Sequence, residues 1–394
     1  MLILLAMGFA SGLPLALTGG TLQAWMKSEG VDLGTIGLFS AVSLPLSLKF
    51  LWSPFMDRFT PLKMGRRRGW MLITQLLLIA AVAGLGMSQP KINLYIVAGL
   101  AILVSFFSAS QDIVLDAWRR EKLEDDQLGF GTSVFVTSYL FSFRMISGSL
   151  ALILADRISW SSVYLIMAGA LLVGVIATLL CKEPAVLSAP PKTLKEAVIE
   201  PFKDFFTKPG AVTILIFILA YKLGDNMASQ MTTPFYLDIG FSKTEIGAIN
   251  KLVGWIALVF GQVLGGILMK KLGILRSLLW FGLLQGAAVY GFAVLTWTGK
   301  NNGVLAGVIC FENIAIGMGT IAYVAYMASI TNKKFTATQY ALLSSLMALP
   351  RTLISAPTGY MAQFLGWHGF FLLCTLMAIP GLLLIPRLTK LDRH

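Results

Sequence analysis

Residues 182–210 read KEPAVLSAPPKTLKEAVIEPFKDFFTKPG. The stretch carries Pro184, Pro190, Pro191, Pro201 and Pro209 among charges of both signs. It is the longest polar stretch in the chain. It cannot cross a bilayer, because a span needs about 20 largely apolar residues. Six apolar runs precede it, at roughly 2–26, 33–54, 69–88, 93–117, 131–155 and 160–181. Six follow it, at roughly 211–236, 244–269, 275–297, 303–331, 337–363 and 366–386. Two sets of six helices joined by a polar linker is the arrangement of secondary transporters, which hold solute between their halves near the bilayer midplane. The expected division is 1–181 for the N-terminal six-helix half, 182–210 for a cytoplasmic linker and 211–394 for the C-terminal half. A repeat supports it. Residues 30–37 read GVDLGTIG and residues 240–247 read GFSKTEIG, at the start of the second run in each half. The alternative, shared helix-start chemistry in two unrelated loops, leaves the equal run counts unexplained.

Composition narrows the class. Of 394 residues, 56% are hydrophobic and 13% charged, and the mean hydropathy is +0.77. A soluble domain carries about 25% charged residues. The runs are too long for the roughly ten-residue alternating strands of an outer-membrane barrel. The fold class expected is therefore an all-α polytopic membrane protein of twelve transmembrane helices, with the lipid bilayer as its first partner. Cys181, Cys310 and Cys374 stand at no motif spacing and the two histidines are too few for a metal site, so no metal and no cofactor is expected. Nothing resembles a nucleophile–base spacing or a P-loop, so the chain is not read as an enzyme. No basic leader precedes the first run, which is expected to be retained.

The formal charge of +12 matters less than its placement. With Arg276 counted at the edge of its loop, the loops after the even-numbered runs and the C-terminal tail hold 21 of the 31 Lys and Arg. The loops after the odd-numbered runs hold five, and Lys49, Arg144, Lys222, Lys251 and Arg351 fall inside runs. This split orients both termini toward the cytoplasm. It also leaves no basic soluble domain to bind nucleic acid.

Ionisable residues inside a membrane are costly and mark function by default. At about 1.5 Å per residue, Arg144, Lys222, Asp225, Glu312 and Arg351 lie roughly 12–21 Å deep, near the midplane. Lys222 and Asp225 stand at i and i+3, on one face. Glu312 has no cation on its own helix and is followed by Asn313. Three positive and two negative charges suit an anionic solute, held by Lys222, Arg144 and Arg351. Asp225, then Glu312, then Asp112 are the candidates for a proton site. The plainer reading of Lys222 and Asp225 is mutual neutralisation that lets the helix insert. Asn250 and Lys251 in the outer half of the eighth run, with Gln23 and Trp25 near the outer end of the first, are further candidates for solute contact. An indole packs on sugar C–H faces and an amide reads hydroxyls; an interfacial aromatic belt competes for the tryptophans.

Residues 53–58 read SPFMDR and 65–70 read GRRRGW. Together they resemble the major facilitator signature, with Ser53 where glycine is usual and 59–64 in place of a single spacer. The second copy, at Gly266, Lys270, Lys271 and Gly273, has lysine where the first has Asp57, so any charge lock between the halves is expected to be one-sided. Asp57, Arg58, Arg66 and Arg67 read as a gate cluster at a cytoplasmic helix end, or more plainly as orientation charges. Residues 108–121, SASQDIVLDAWRRE, put Asp112 and Asp116 on one face about 6 Å apart along the axis. Asp116 is expected to pair with Arg119 or Arg120 at the same gate, and an edge salt-bridge cluster is the plainer reading.

More specific runs carry a narrower resemblance. GFASGLPLAL at 8–17, LQAW at 22–25, FLWSPFMDR at 50–58, SASQDIVLDAW at 108–118, YKLGD at 221–225, FENIAIGMGT at 311–320 and FTATQYALLSSL at 335–346 are similar to AmpG-type muropeptide permeases of Gram-negative inner membranes. The resemblance runs from the first span to the twelfth. It implies the major facilitator fold with two pseudo-symmetric halves and proton-driven import of anhydromuropeptides by alternating access. It also implies a place in cell-wall recycling and, in some bacteria, in β-lactamase induction. Some members carry an N-terminal polar segment and further helices after the twelfth, beside which this chain reads as a short or trimmed form. The partners expected are a small glycopeptide solute and protons, with the chain acting as a monomer. Two other classes stay open: a proton-coupled facilitator for another anionic solute or for drug export, and a membrane receptor that transports nothing.

Overall fold

The computed structural model describes residues 1–31, 35, 39–185, 193–242, 245–246, 249, 253–332 and 334–391, with the backbone alone at 40, 194, 195, 348–356 and 391. Among the described residues there is no β-strand, and ten helices are long and apolar enough to cross a membrane. They run over Leu2–Ser28, Arg66–Met87, Leu94–Lys122, Asp125–Ala155, Trp160–Leu180, Ala211–Asp238, Trp255–Leu272, Ile274–Thr298, Asn302–Ser329 and Pro357–Lys390. Helix continues without a break from Thr336 to Leu391 except at Gly366, whose φ of 67° turns the chain between the eleventh and twelfth runs.

Several runs are not the single helices that periodicity suggests. The described part of the second run is a series of short pieces: Phe39–Ser43, Leu44–Leu48, Lys49–Leu51 and Ser53–Arg58. Pro45 and Pro54 each remove a backbone donor inside it, which fragments the ladder. The seventh run breaks at Lys222 into Ala211–Tyr221 and Leu223–Asp238. The fifth begins earlier than expected, at Asp125, and loosens into π-helix over Ser142–Leu150. Such loosening clusters at functional positions in helices. The first copy of the repeat lies largely outside the described residues. In the second, Ser242 and Glu245 form a reciprocal helix cap: Ser242 N donates to Glu245 Oε2 at 2.7 Å and Glu245 N to Ser242 Oγ at 3.2 Å.

The chain forms two compact units. The first comprises Met1–Glu124, Val134–Phe202 and Thr331–Ser345. Its core gathers Leu13, Leu17, Leu78, Val97, Tyr164 and Met167. Glycines let its helices approach: a Cβ on Gly8 would stand 2.3 Å from Phe135 O, and one on Gly12 2.1 Å from Tyr139 O. The second unit comprises Asp125–Ser133, Lys203–Ile330 and Leu346–His394. Its core is aromatic, built on Phe235, Tyr236, Phe292, Phe370 and Phe371. Here Gly261 lies against Ile314, where a Cβ would meet the Ile314 carbonyl oxygen at 2.3 Å.

Candidate functional site

In the second unit the break at Lys222 places a cation where a helix ladder is interrupted. Lys222 is 9% exposed. Its Nζ donates to Asp225 Oδ2 at 3.1 Å and to Thr320 Oγ1 at 3.3 Å, so the ion pair expected from the i, i+3 spacing is present and gains a third partner from the Asn302–Ser329 helix. Glu312, on that same helix, is buried. The charges that act on it are those of Asp225 and Lys222. Asn313 turns back on its own helix, its Nδ2 donating to Ile309 O at 2.8 Å. One lysine thus pairs with Asp225 and also acts electrostatically on Glu312.

The first unit holds a second acidic group. Ser11 Oγ donates to Asp112 Oδ1, joining the Leu2–Thr18 helix to Leu94–Lys122. Lys49, 7% exposed, is the larger cationic influence on Asp112, and Asp116 and Arg119 act on it too. Beside it Trp52 Nε1 donates to Ser110 Oγ at 2.9 Å. A turn further on, Arg119 Nη2 meets Asp116 Oδ1 at 3.0 Å and donates to Tyr340 OH at 3.1 Å, while its guanidinium lies 4.6 Å from the Phe135 ring centre. Arg119, one of the two partners expected for Asp116, pairs with it.

The cluster around Asp57 is larger than the sequence suggested. Asp57 is fully buried, and Arg67 is 1% exposed. Arg67 Nη2 donates to Asp57 Oδ1 at 2.9 Å, and its Nε reaches both Glu121 oxygens at 3.1 and 3.0 Å. The other Asp57 oxygen accepts Thr338 N at 2.8 Å and Thr338 Oγ1 at 2.7 Å. Thr338 is in the first turn of the helix that starts at Thr336, whose free N–H groups favour an anion. Arg66 takes a lesser part, with Nη1 on Asp57 O at 3.2 Å and Nη2 3.5 Å from Glu121. Arg58 is outside the network and lies over the Phe59 ring. Glu183 caps the next helix, accepting Arg67 N at 2.8 Å and Arg68 N at 2.9 Å. Glu121, Glu183, Thr338 and Tyr340 were not among the residues singled out. The hydroxyl-rich FTATQ before an apolar run was the available signal for Thr338, since such residues start helices.

The remaining candidates are scattered. Trp25 is 3% exposed, stacked on Trp160 at 5.9 Å and tilted on Tyr164 at 5.1 Å, which makes it part of the first unit's aromatic packing. Gln23 is half-buried on the same short helix. Arg144 is exposed within the π-helical stretch. The side chain of Arg351 and the residues Asn250 and Lys251 lie outside what is described. No group of three or more His, Cys, Asp or Glu placed to hold a metal occurs among the described residues.

A model of the Major Facilitator Superfamily matches residues 4–355. The fold agrees with solved transporters of that superfamily. The outward conformation of the transporter FucP superposes with a TM-score of 0.75 at 12% identity, covering 97% of each chain. The human organic anion transporter MFSD10 does so with 0.71 at 15% identity, covering 98% of this chain and 97% of the other. At such identities the likeness concerns the fold alone. Sequence relatives are nearer. An anhydromuropeptide permease of Escherichia coli K12 is 47% identical over 385 residues, 97% of this chain and 78% of the relative. A putative transporter AmpG 4 of Rickettsia felis is 33% identical over 98% of this chain and 95% of its own length. The helices, the matched superfamily model and these relatives together place the chain in the major facilitator superfamily and, within it, among the AmpG-type muropeptide permeases, which are multi-pass membrane transporters and not enzymes.

Proposed function

We propose that the protein imports anhydromuropeptides, GlcNAc-1,6-anhydro-MurNAc with or without its peptide, together with protons across a bacterial inner membrane. The observation that carries this reading is Lys222 held between Asp225 and Thr320 at a helix break, with Glu312 buried nearby. A muropeptide carries carboxylates, and a partly desolvated carboxylate seeks a charge-assisted partner. A solute carboxylate that engages Lys222 competes with Asp225 for it. Asp225 then lacks its counter-ion, and a proton supplies the missing charge. Solute and proton binding therefore favour each other, the linkage a symporter needs. The name of the Escherichia coli relative supports the solute class, and the basic loops support the cytoplasmic placement of both termini.

In this reading Asp57, Arg67, Glu121 and Thr338 form a cytoplasmic latch, with Arg66 at its edge and Asp116, Arg119 and Tyr340 as its neighbours. Its bonds to Thr338 break and re-form in each transport cycle. Arg144 and Arg351 are proposed as further contacts for solute carboxylates, and Gln23 and Asn313 for solute amides and hydroxyls. The chain acts as a monomer, in cell-wall recycling and through it in β-lactamase induction.

The test is uptake of labelled anhydromuropeptide into proteoliposomes with and without an inward proton gradient. Accumulation that follows the gradient and is lost in Asp225→Asn, with downhill exchange retained, supports the reading. Gradient-driven movement of a cationic drug and none of the muropeptide overturns it. Accumulation by Asp225→Asn at the wild-type level removes Asp225 from the coupling role.

A further inference from the structure

The second copy of the signature, at 266–273, takes no part in the latch. In the first copy Gly65 opens the Arg66–Met87 helix with φ 105°, and Glu183 fills the turn. Its two carboxylate oxygens accept Arg67 N and Arg68 N, and a Cβ on Gly65 would stand 2.4 Å from Glu183 Cδ. In the second unit Gly273 opens the Ile274–Thr298 helix in the same way, with φ 78°. No side chain caps that helix start, and a Cβ on Gly273 would meet nothing within 4 Å. Lys270 stands where the first copy has Asp57, Lys271 follows it, and Arg276 lies in the first turn after Gly273. All three are exposed, and none has a side-chain hydrogen bond or ion pair among the described residues. The second copy thus has the turn and cations of its own, and neither carboxylate.

Beyond these cations both helices turn apolar side chains outward. Phe260, Val263 and Ile267 are exposed at steps of three and four, one stripe that leads to Lys270 and Lys271. On the next helix Trp280 is 57% exposed and stands four residues from Arg276, about 6 Å along the axis. Leu283 and Tyr290 continue that stripe. The two helices share Gly273 as their cap, so both stripes end at one hairpin. Loop charge orients a chain wherever in the loop it stands. It asks for neither an open turn nor apolar stripes that end at it.

We propose that the Gly273 hairpin is a binding site for an anionic phospholipid. The phosphate takes the place that Glu183 fills in the first copy. Lys270, Lys271 and Arg276 hold it, together with the free N–H groups of the helix start. The acyl chains lie along the stripes of Ile267 and Leu283, with Trp280 at the level of the glycerol. A free phosphate would use the cations and leave the stripes bare, whereas a lipid uses both. Three cations favour a lipid with two phosphates, such as cardiolipin. The site concerns the bilayer and not the solute, so it stands or falls apart from the coupling scheme.

The test is lipid binding to the delipidated protein in detergent, read by native mass spectrometry. The protein is titrated with cardiolipin or phosphatidylcholine, and inorganic phosphate is added as a competitor. Cardiolipin should bind about tenfold more tightly than phosphatidylcholine, and phosphate should not displace it. A basic side chain beside an anionic headgroup is worth roughly fivefold in affinity, so Lys270→Gln, Lys271→Gln and Arg276→Gln together should weaken cardiolipin by about a hundredfold. Lys203→Gln, Arg387→Gln and Lys390→Gln remove the same charge from exposed residues on other helices. Screening confines such effects to nearby charges, so this control should stay within about twofold of wild type. Equal affinity for the two lipids, an equal loss in the two triple variants, or displacement by phosphate overturns the site. If the first triple variant does not fold, Arg276→Gln alone decides: a loss of about fivefold is expected, and wild-type affinity overturns the site.

Discussion

Arg67 shows why residue type matters more than charge in this protein. Its planar fork serves two carboxylates at once, Asp57 through Nη2 and Glu121 through Nε and Nη2, while Nη1 donates to Met56 O at 3.3 Å. A buried charge is tolerated when its partners and hydrogen bonds are complete, and removing one partner leaves the rest stranded. Arg67→Ala is therefore expected to cost about 3–5 kcal/mol of stability. Arg67→Lys retains the charge but cannot reproduce a bidentate fork and should recover only part of that loss. Arg58→Ala, outside the network, should stay within about 0.5 kcal/mol of wild type. Thermal unfolding of the three variants in one detergent checks the order. An Arg67→Lys protein as stable as wild type would reduce Arg67 to an orientation charge, the plainer reading of the GRRRGW stretch. The sequence identified Arg67 and Asp57 because the motif sets them apart by type and spacing. It marks Thr338 only as a helix-start residue and Glu121 not at all, since both are distant in sequence and meet this pair only through the fold.

At the scale of the element, glycine placement and helix ends decide what a hydropathy run becomes. The first run packs where Gly8 and Gly12 let its backbone reach Phe135 O and Tyr139 O. Gly12→Ala drives a Cβ into a carbonyl and should cost about 1–3 kcal/mol by overpacking. Gly99→Ala, where a Cβ meets nothing within 4 Å, should be silent. A melting temperature for Gly12→Ala equal to that for Gly99→Ala would refute the close approach. Helix ends respond to pH as well. The Glu245 carboxyl is held down to about 2 by the Ser242 backbone and hydroxyl, with the Lys300 ammonium at 3.2 Å. A group depressed in the folded state contributes above its ordinary range and loses that contribution as pH falls toward the folded value. The cap at 242–245 should thus persist from neutral pH through pH 4 and weaken below that. Hydrogen exchange at the Ser242 amide reads it, and Glu245→Gln should exchange faster already at neutral pH. Equal exchange in the two proteins would show that the cap contributes nothing. Apolar periodicity located most of these elements but not their interruptions. The break at Lys222 is marked in the run only by Gly224 two residues on, and the π-helix at Ser142–Leu150 by no proline.

For the whole molecule, the stretch at 182–210 reads as lying outside the bilayer, which forbids a polar linker, and the equal run counts on either side of it make two halves an expectation. The Lys222–Asp225 ion pair was legible from its spacing, because a lysine three residues before an aspartate in an apolar run shares its helix face. Which of those side chains serve one site was not legible, since depth along a span says nothing about direction around it. The orientation expected for the chain rests on charge. The Arg66–Met87 helix offers a compact test, because its two flanking loops differ in basic content. Residues 58–68 hold five Lys and Arg before and at its start, whereas Lys91 is the single basic residue in the loop after it. An excess of basic residues is retained on the cytoplasmic side during insertion. Lys63 and Lys91 are both exposed, and Cys181, Cys310 and Cys374 are all free thiols that can be replaced. In that cysteine-free background, Lys63→Cys should resist a membrane-impermeant maleimide in intact spheroplasts and react only after permeabilisation. Lys91→Cys should react in both. The reverse pattern would place the 182–210 linker on the outer face and overturn the cytoplasmic assignment of both termini.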